Sequence, residues 1–285
     1  MNSLNLDNGK LAATYDELSD SQFEGGKRLL EHLEVSHNNT VLDLGCGTGR
    51  LAFHVAETVG ASGHVLGIDP LPERIAVARR KNLYPNVAFR VGVAEDLSTI
   101  EAASVDVVYL SAVFHWIANK AGALREIFRV LKNGGRLGIT TNAKELINQT
   151  TLAKVTAKVF AREPYAGYVE PCDFAPARFG VTTSELVSLL VESNLSIRLL
   201  RVSPVCRTYA NGARIVDFAE SSTFGNYTGR LPEELRAQAR IDIANEFDRL
   251  RIRNGGIEVA GYTVFAIATK VDVGQSGSRA SKTSN

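Results

Sequence analysis

The sequence predicts an α/β protein with a doubly wound, mostly parallel seven-stranded sheet and helical cap insertions. Three observations lead to this fold class. Short apolar strands alternate with amphipathic helices between residues 41 and 142, which is typical of parallel βαβ units. The segment VDVVYLSAV at 105–113 is almost entirely apolar, as strands buried on both faces are. The stretch VLDLGCGTGR at 41–50 joins a strand to a helix through a glycine-rich turn.

Each predicted element has a local signal in the chain. Pro72 suits the first turn of a helix, and Asn133-Gly134-Gly135 is expected to end one. The predicted strands are 41–45, 64–69, 86–92, 105–113, 136–142, 196–202 and 262–270. The predicted helices are one or two within 11–33, then 48–59, 72–81, 120–131, 148–161, one from Thr182 or Thr183 to about Ser193, and two within 209–253. Residues 1–10 and the polar tail 272–285 are expected to be disordered.

Composition narrows the class of protein. The chain has 285 residues, 45% of them hydrophobic, and a net charge of +1, so nothing indicates nucleic acid or an anionic membrane as a partner. No apolar run approaches the roughly 20 residues of a membrane helix, and the polar N-terminus has no signal-peptide core. The three cysteines are widely spaced, which favours a reducing compartment. We therefore expect a cytoplasmic protein.

The glycine turn and the acids near it predict a ligand site. Gly45, Gly47 and Gly49 let the backbone bend and a ligand approach closely. Asp69 ends the next strand, twenty residues after Gly49, where a carboxylate accepts hydrogen bonds from ribose hydroxyls or caps the helix that follows. The third glycine comes one residue earlier than in dinucleotide-binding turns. Asp43 beside the turn favours a ligand with a cationic amine over a pyrophosphate.

This combination resembles the class I S-adenosylmethionine-dependent methyltransferases, whose first motif is D-x-G-x-G-x-G. The resemblance is good over residues 10–142 and covers the rest in outline. It implies a Rossmann-like sheet with strand order 3-2-1-4-5-7-6, strand 7 antiparallel, and S-adenosylmethionine as cofactor. It also implies a single domain over 1–271, with a cofactor-binding core at 10–142 and substrate-cap insertions at 143–180 and 209–255.

The resemblance also implies which residues hold the cofactor. An N-terminal Y-D-x-x-x-x-x-x-Q segment covers it, and an acid after the third strand accepts from the adenine amine. The predicted set is Tyr15, Gln22, Asp43, Gly45, Cys46, Gly47, Gly49, Asp69, Pro70, Ala94, Glu95, Ser111 and Trp116. Other interpretations stay open: Tyr15 packs on the core, Gln22 is solvated, and Glu95 or its neighbour Asp96 caps a turn.

His115 is the candidate catalytic residue, because it follows the strand 105–113 where the acceptor should lie. It would act as general base on a hydroxyl, thiol or amine, or only close the pocket with Phe114 and Trp116. A carboxylate acceptor needs a cation rather than a base, and the candidates in the cap are Arg178, Arg207, Arg214 and Arg230. Cap aromatics that line an acceptor site or pack in the core are Tyr165, Tyr168, Phe174, Phe179, Phe224 and Tyr227.

The methyl acceptor is predicted only as a class. The stretch SAVFHWI and the late cap look most like the trans-aconitate and malonyl-carrier-protein carboxyl methyltransferases and the ubiquinone-type carbon methyltransferases. We expect O-, N- or C-methylation of a small molecule by a monomer or homodimer with no metal. The alternatives are a metalloid (arsenite) methyltransferase using Cys172 and Cys206, a non-catalytic binding protein of the same fold, and a nicotinamide-dependent oxidoreductase. A nucleic-acid methyltransferase is disfavoured, since SAVF stands where N-P-P-Y would be expected.

Overall fold

A computed structural model describes residues 7–168, 179–253 and 255–271. The strands are β1 Thr40–Leu44, β2 His64–Asp69, β3 Val87–Val91, β4 Val105–Ser111, β5 Leu131–Thr141, β6 Leu195–Tyr209 and β7 Ile257–Lys270. The helices are α1 Gly9–Leu18, α2 Asp20–Leu33, α3 Arg50–Val59, α4 Pro72–Lys81, α5 Lys120–Val130, α6 Thr151–Phe160, α7 Thr183–Glu192, α8 Gly212–Ser222 and α9 Glu233–Asp248. None of the helices in these ranges has both the length and the apolar composition that crossing a bilayer requires.

The strands form one seven-stranded sheet in the order β3-β2-β1-β4-β5-β7-β6. β7 runs antiparallel to both β5 and β6, and the other neighbouring pairs are parallel. Helices α2, α3 and α4 cover one face, where Leu33, Val55 and Ile75 are buried. Helices α5 and α7 cover the other face through Ile127 and Leu190. The predicted fold class and strand order are therefore confirmed.

The last two strands are longer than the sequence predicted. Instead of 196–202 and 262–270, pairing continues to Tyr209 on β6 and back to Ile257 on β7. Thr141 at the end of β5 pairs with Val264, so residues 203–209 and 257–263 extend beyond the carboxyl edge of the sheet. Side chains on 203–209 alternate between half-buried and exposed, and on 257–263 only Ile257 is fully buried, a weaker pattern than that of the core strands.

This β6–β7 extension (residues 203–209 and 257–263) joins α6, α8 and α9 around a second apolar core. Val159, Ile215, Ile243 and Phe247 are buried there. Below, "the cap" means the extension together with these three helices. The proposed limits of the cap insertions, 143–180 and 209–255, and of the single domain stay predictions.

Three local predictions were wrong. Residues 7–10 are ordered: Asn8 caps α1 by accepting hydrogen bonds from the Lys10 and Leu11 N–H groups. Asn133-Gly134-Gly135 does not end α5, because β5 begins directly at Leu131. The predicted strand 105–113 stops at Ser111, since Ala112 has a φ of 58°, which no strand residue adopts. Residues 1–6 and 272–285 lie outside the described ranges.

Candidate functional site

A cavity of about 1220 Å³ lies at the carboxyl edge of the sheet, between the core, the helices α1 and α2, and the cap. Single-ligand pockets usually have about 300–1,000 Å³, so this cavity has room for two molecules. The predicted site residues that line it are Tyr15, Gln22, Gly45, Gly47, Asp69, Pro70, Ala94, Glu95, Ser111, His115 and Trp116. Asp43, Cys46 and Gly49 lie behind this surface.

The glycine turn between β1 and α3 forms part of the cavity floor. Gly45, Gly47 and Gly49 have φ values of 78°, 55° and 84°, the left-handed region that glycine adopts without strain. A Cβ at Gly45 would lie 2.3 Å from a Val113 methyl group, and one at Gly49 would lie 2.7 Å from the Phe89 ring. A Cβ at Gly47 would lie 3.6 Å from the Tyr15 ring, an ordinary contact distance. The first and third glycines therefore allow close packing, while Gly47 forms the floor beneath Tyr15.

Asp69 ends β2 and holds the glycine turn in place through a hydrogen bond. Its Oδ2 accepts a hydrogen bond from the Gly47 N–H at 2.8 Å, and its Oδ1 accepts one from the Leu71 N–H at 2.9 Å. Each carboxylate oxygen has a further lone pair for a ligand hydroxyl, and the residue lines the cavity. Burial raises the pKa of Asp69, and the Arg74 guanidinium opposes that rise. The capping and ribose-binding interpretations are thus compatible with each other.

Asp43 lies buried on β1 directly beneath the turn. Its Oδ2 has no hydrogen-bond partner within the described residues. Burial raises the pKa of Asp43 to about 7, the neighbouring Tyr109 hydroxyl opposes this rise, and the charge of Asp69 adds to it. A buried carboxylate oxygen without a partner is unfavourable, so a ligand ammonium group near the turn would stabilise the ionised form of Asp43.

Glu95 and Asp96, the two acids after β3, lie in different environments. Glu95 lines the cavity together with Ala94. Asp96 is exposed, and its Oδ1 accepts hydrogen bonds from the Ser98 N–H and hydroxyl. Asp96 therefore caps the turn, which leaves Glu95 facing the ligand space.

The lid of the cavity depends on Arg74, which sequence reasoning missed. This α4 guanidinium is 4.3 Å from the centre of the Tyr15 ring and 4.7 Å from that of Phe224. It donates a 2.6 Å hydrogen bond to the Ser221 carbonyl and pairs with the buried Asp7. Arg74 thus connects α1 and α8 above the glycine turn. The helical period was a usable signal, because Arg74 lies one turn before the buried Ala78.

The β4 end brings His115 and Trp116 to the cavity through a short 3₁₀ turn. His115 is buried, and its Nδ1 is 3.1 Å from the Thr141 hydroxyl. Burial, and to a smaller extent the Lys120 ammonium, lowers the pKa of His115 to about 3. Its imidazole is therefore neutral at physiological pH, and a general base works best with a pKa near that pH. The Trp116 ring packs edge-on against Phe224 at 4.7 Å.

The His115 environment predicts a pH dependence of stability. The folded-state pKa lies below the ordinary 6.5, so the stabilisation is complete above pH 6.5 and is lost as the pH falls towards 3. Between pH 8 and pH 5 the wild type should lose about 2 kcal/mol more free energy of unfolding than a His115→Gln variant. Urea unfolding of both proteins at each pH measures this difference. Parallel pH curves would contradict it.

The cap side of the cavity is largely apolar and aromatic. Of the predicted aromatics, Phe179, Phe224 and Tyr227 line it. Tyr165 instead packs in the cap core and donates to Asp242, while Tyr168 is exposed. Of the predicted arginines, Arg207 and Arg214 line the cavity, and Arg230 does not. Phe174 and Arg178 lie outside the described residues.

The cysteines give little support to a metalloid site. Cys206 reaches the cavity wall from an exposed position on β6, and Cys172 is not among the described residues. Cys46 is buried, and burial raises the pKa of its thiol well above the ordinary value. Within the described ranges, no three His, Cys, Asp or Glu side chains lie together in a way that would hold a metal ion.

The family model that matches this chain and two of its curated relatives are all methyltransferases. The family model for a methyltransferase domain matches residues 36–171. An arsenite methyltransferase from Aquipseudomonas alcaligenes is 44% identical over 106 residues, which cover 34% of this chain and 31% of the relative. A chloroplastic 2-phytyl-1,4-beta-naphthoquinone methyltransferase from Arabidopsis thaliana is 32% identical over 153 residues, which cover 50% of this chain and 58% of the relative. The chain therefore spans about a third and three-fifths of these curated relatives.

The solved structures agree on the fold. The YcgJ protein from Bacillus subtilis superposes with a TM-score of 0.60 at 19% sequence identity, over 87% of this chain and 99% of that one. The likeness thus includes the cap region as well as the part that the family model matches.

Proposed function

Because this chain belongs to the class I S-adenosylmethionine-dependent methyltransferases, we propose that it methylates a small molecule in the cavity at the carboxyl edge of its sheet. The observation that carries the proposal is the two-part cavity. Its core side has the glycine turn and Asp69, with Asp43 buried behind the turn, and its cap side is largely apolar and aromatic. The predicted cytoplasmic location and the monomeric or homodimeric state stay predictions.

The residues on the core side fit S-adenosylmethionine. Asp69 has free lone pairs for two ribose hydroxyls, and Glu95 faces the same space for the adenine amine. The buried, unpartnered Oδ2 of Asp43 suits an ammonium group and disfavours a phosphate. Gly45 and Gly47 keep side chains out of the floor. When bound, the cofactor supplies an electrophilic methyl group on a positively charged sulfur.

The protein contributes positioning more than proton transfer. Tyr15 and Arg74 close the cavity from above, and Trp116 with Phe224 forms a wall between its two sides. Holding reactants in line accounts for much of the rate of such displacements. His115 is neutral and held by Thr141, so we infer that it shapes the wall. Its predicted role as general base stays untested.

Asp43 predicts that cofactor affinity depends on pH. An ammonium group close to Asp43 favours its ionised form, so binding should strengthen as the pH rises towards the pKa of about 7 and then level off. Calorimetry with S-adenosylhomocysteine between pH 5.5 and 7 should show several-fold tighter binding at the upper limit, with proton release. An Asp43→Asn variant should bind more weakly and with little pH dependence. The same slope in both proteins would contradict this role.

Transfer of a labelled methyl group tests the proposed activity. The protein is incubated with methyl-tritiated S-adenosylmethionine and a cell extract separated into small-molecule and macromolecular fractions. We expect label in the small-molecule fraction, with an equal amount of S-adenosylhomocysteine, and loss of both with Asp69→Ala. Label confined to protein or nucleic acid would contradict the small-molecule acceptor. No label in either fraction would contradict the activity.

A further inference from the structure

Arg207 lies on the half-buried face of the β6 extension and lines the cavity. Along the β6 extension, Val205, Arg207 and Tyr209 are half-buried, while Cys206 and Thr208 between them are exposed. This period of two sets the Arg207 side chain on the face that Val205 and Tyr209 share. Its cross-strand partner is Val259. Arginine is rarely buried unless it is paired, so apolar packing alone does not explain an arginine at this half-buried position.

Among the residues that the structure describes, no carboxylate forms an ion pair with Arg207. Its guanidinium carbon is 5.7 Å from the centre of the Phe218 ring, and no ion pair joins it to any acid in the described ranges. The acids of α8 are engaged elsewhere: Asp217 and Glu220 both pair with Arg240. The carboxylates that line the cavity belong to the core or to α1 and α2: Glu17, Asp20, Glu24, Asp69 and Glu95.

Arg207 and Tyr15 line the same cavity from opposite sides of the chain's two cores. Tyr15 lies over the glycine turn, 3.6 Å from the position of a Cβ at Gly47. Arg207 lies on the cap side, on the β6 extension. The cavity therefore has a cation on the side opposite the glycine turn.

We propose, building on the function proposed above, that the cap side binds an organic carboxylate with an apolar or aromatic body, and that Arg207 holds the carboxylate. A half-buried cation without a counter-ion is costly, and an anion that enters the cavity removes that cost. Guanidinium binds carboxylate through two parallel hydrogen bonds. The rings of Phe218, Phe224 and Tyr227 supply the surface for the apolar body. Arg214 also lines the cavity but is exposed to solvent, so the single half-buried cap arginine matches the one charge of a carboxylate better than the larger charge of a phosphate ester.

The single tryptophan of the chain gives a direct readout. Trp116 lines the cavity and contacts Phe224, so its fluorescence should respond to occupancy of the cap side. The protein is saturated with S-adenosylhomocysteine and titrated with 3-phenylpropionate, 4-phenylbutyrate and indole-3-acetate, each paired with its neutral primary amide. We expect at least one acid to bind tenfold or more tightly than its amide. Phenyl phosphate should bind more weakly than that acid.

Variants of Arg207 test whether this residue supplies the positive charge that holds the acid. Arg207→Met should reduce the affinity for the acid about 10- to 100-fold and leave that of the amide unchanged, while Arg207→Lys should retain part of the preference. Arg198→Met is the matched control, because Arg198 is exposed on the same strand and outside the cavity; it should change neither affinity. Equal binding of every acid and its amide, or an acid preference that survives Arg207→Met, would overturn the proposal.

A calorimetric titration separates this inference from the proposed function. Wild type and Arg207→Met should bind S-adenosylhomocysteine equally, because the core-side residues are unchanged. Normal binding of S-adenosylhomocysteine without acid preference overturns only the carboxylate proposal. No binding of S-adenosylhomocysteine to the wild type overturns the proposed function itself.

Discussion

An Asp69→Ala variant should bind S-adenosylhomocysteine about 10- to 100-fold more weakly than the wild type. The substitution removes the proposed acceptor for two ribose hydroxyls, and it also leaves the Gly47 and Leu71 N–H groups without the partner that the carboxylate now provides. Each buried donor left without a partner costs about 1–3 kcal/mol. The same variant should therefore also have a lower free energy of unfolding, because the glycine turn loses its hydrogen bond to the Asp69 carboxylate.

Two further variants show whether the effect belongs to the site. Asp96→Ala removes an acid of the same type that caps an exposed turn outside the cavity, and its affinity should match the wild type. Asp69→Asn keeps an acceptor oxygen and should fall between the two. Isothermal titration calorimetry measures all three. If Asp69→Ala bound as tightly as Asp96→Ala, the ribose would be held elsewhere.

Gly45→Ala should destabilise the fold by about 2–5 kcal/mol. A left-handed conformation costs a non-glycine residue about 1–2 kcal/mol, and overpacking a filled site adds about 1–3 kcal/mol. Both apply, since Gly45 has a φ of 78° and the new Cβ would lie 2.3 Å from a methyl group of Val113 and 2.9 Å from its Cβ. Val113 is short and branched, so its side chain has little freedom to move away.

Alanine variants at two other glycines separate the cost of the left-handed conformation from the cost of crowding. Gly134 has the same φ of 78° and nothing within 4 Å of the position where a Cβ would be, so Gly134→Ala should lose only the conformational part. Gly25 is helical and equally open, and Gly25→Ala should leave stability unchanged or raise it by up to about 1 kcal/mol. Urea unfolding measures the free energy of unfolding of the three variants. Equal losses for Gly45→Ala and Gly134→Ala would show that Val113 accommodates the methyl group.

Much of the fold could be read from the sequence because the core strands carry strong signals. The segment at 105–113 is apolar throughout, and His64–Asp69 was predicted with its observed limits. The extensions of β6 and β7 were missed, because few of their residues are fully buried and the strands depend on pairing with each other. Residues 7–10 were missed although Asn8 is a residue type that caps helices; the ion pair between Asp7 and Arg74 of α4 is a contact that no local pattern shows.

The candidate site was predictable on its core side and less so in the cap. The glycine turn, Asp69 and Glu95 follow one another in a recognisable order along the chain, and all reach the cavity. Arg74 and Phe224 are distant in sequence and meet only in the folded protein. Arg207 was one of four arginines that the sequence ranked equally, and its half-buried position on β6 distinguishes it from the exposed Arg214 and Arg230.

The most direct test of the account is calorimetric titration of the purified protein with S-adenosylhomocysteine and, in parallel, with reduced nicotinamide cofactor. Asp43 beneath the turn favours an ammonium group over a pyrophosphate. We predict one molecule of S-adenosylhomocysteine per chain with micromolar or tighter affinity, and far weaker binding of the nicotinamide. No binding of S-adenosylhomocysteine, or tighter binding of the nicotinamide, would contradict the assignment of this cavity to a methyltransferase.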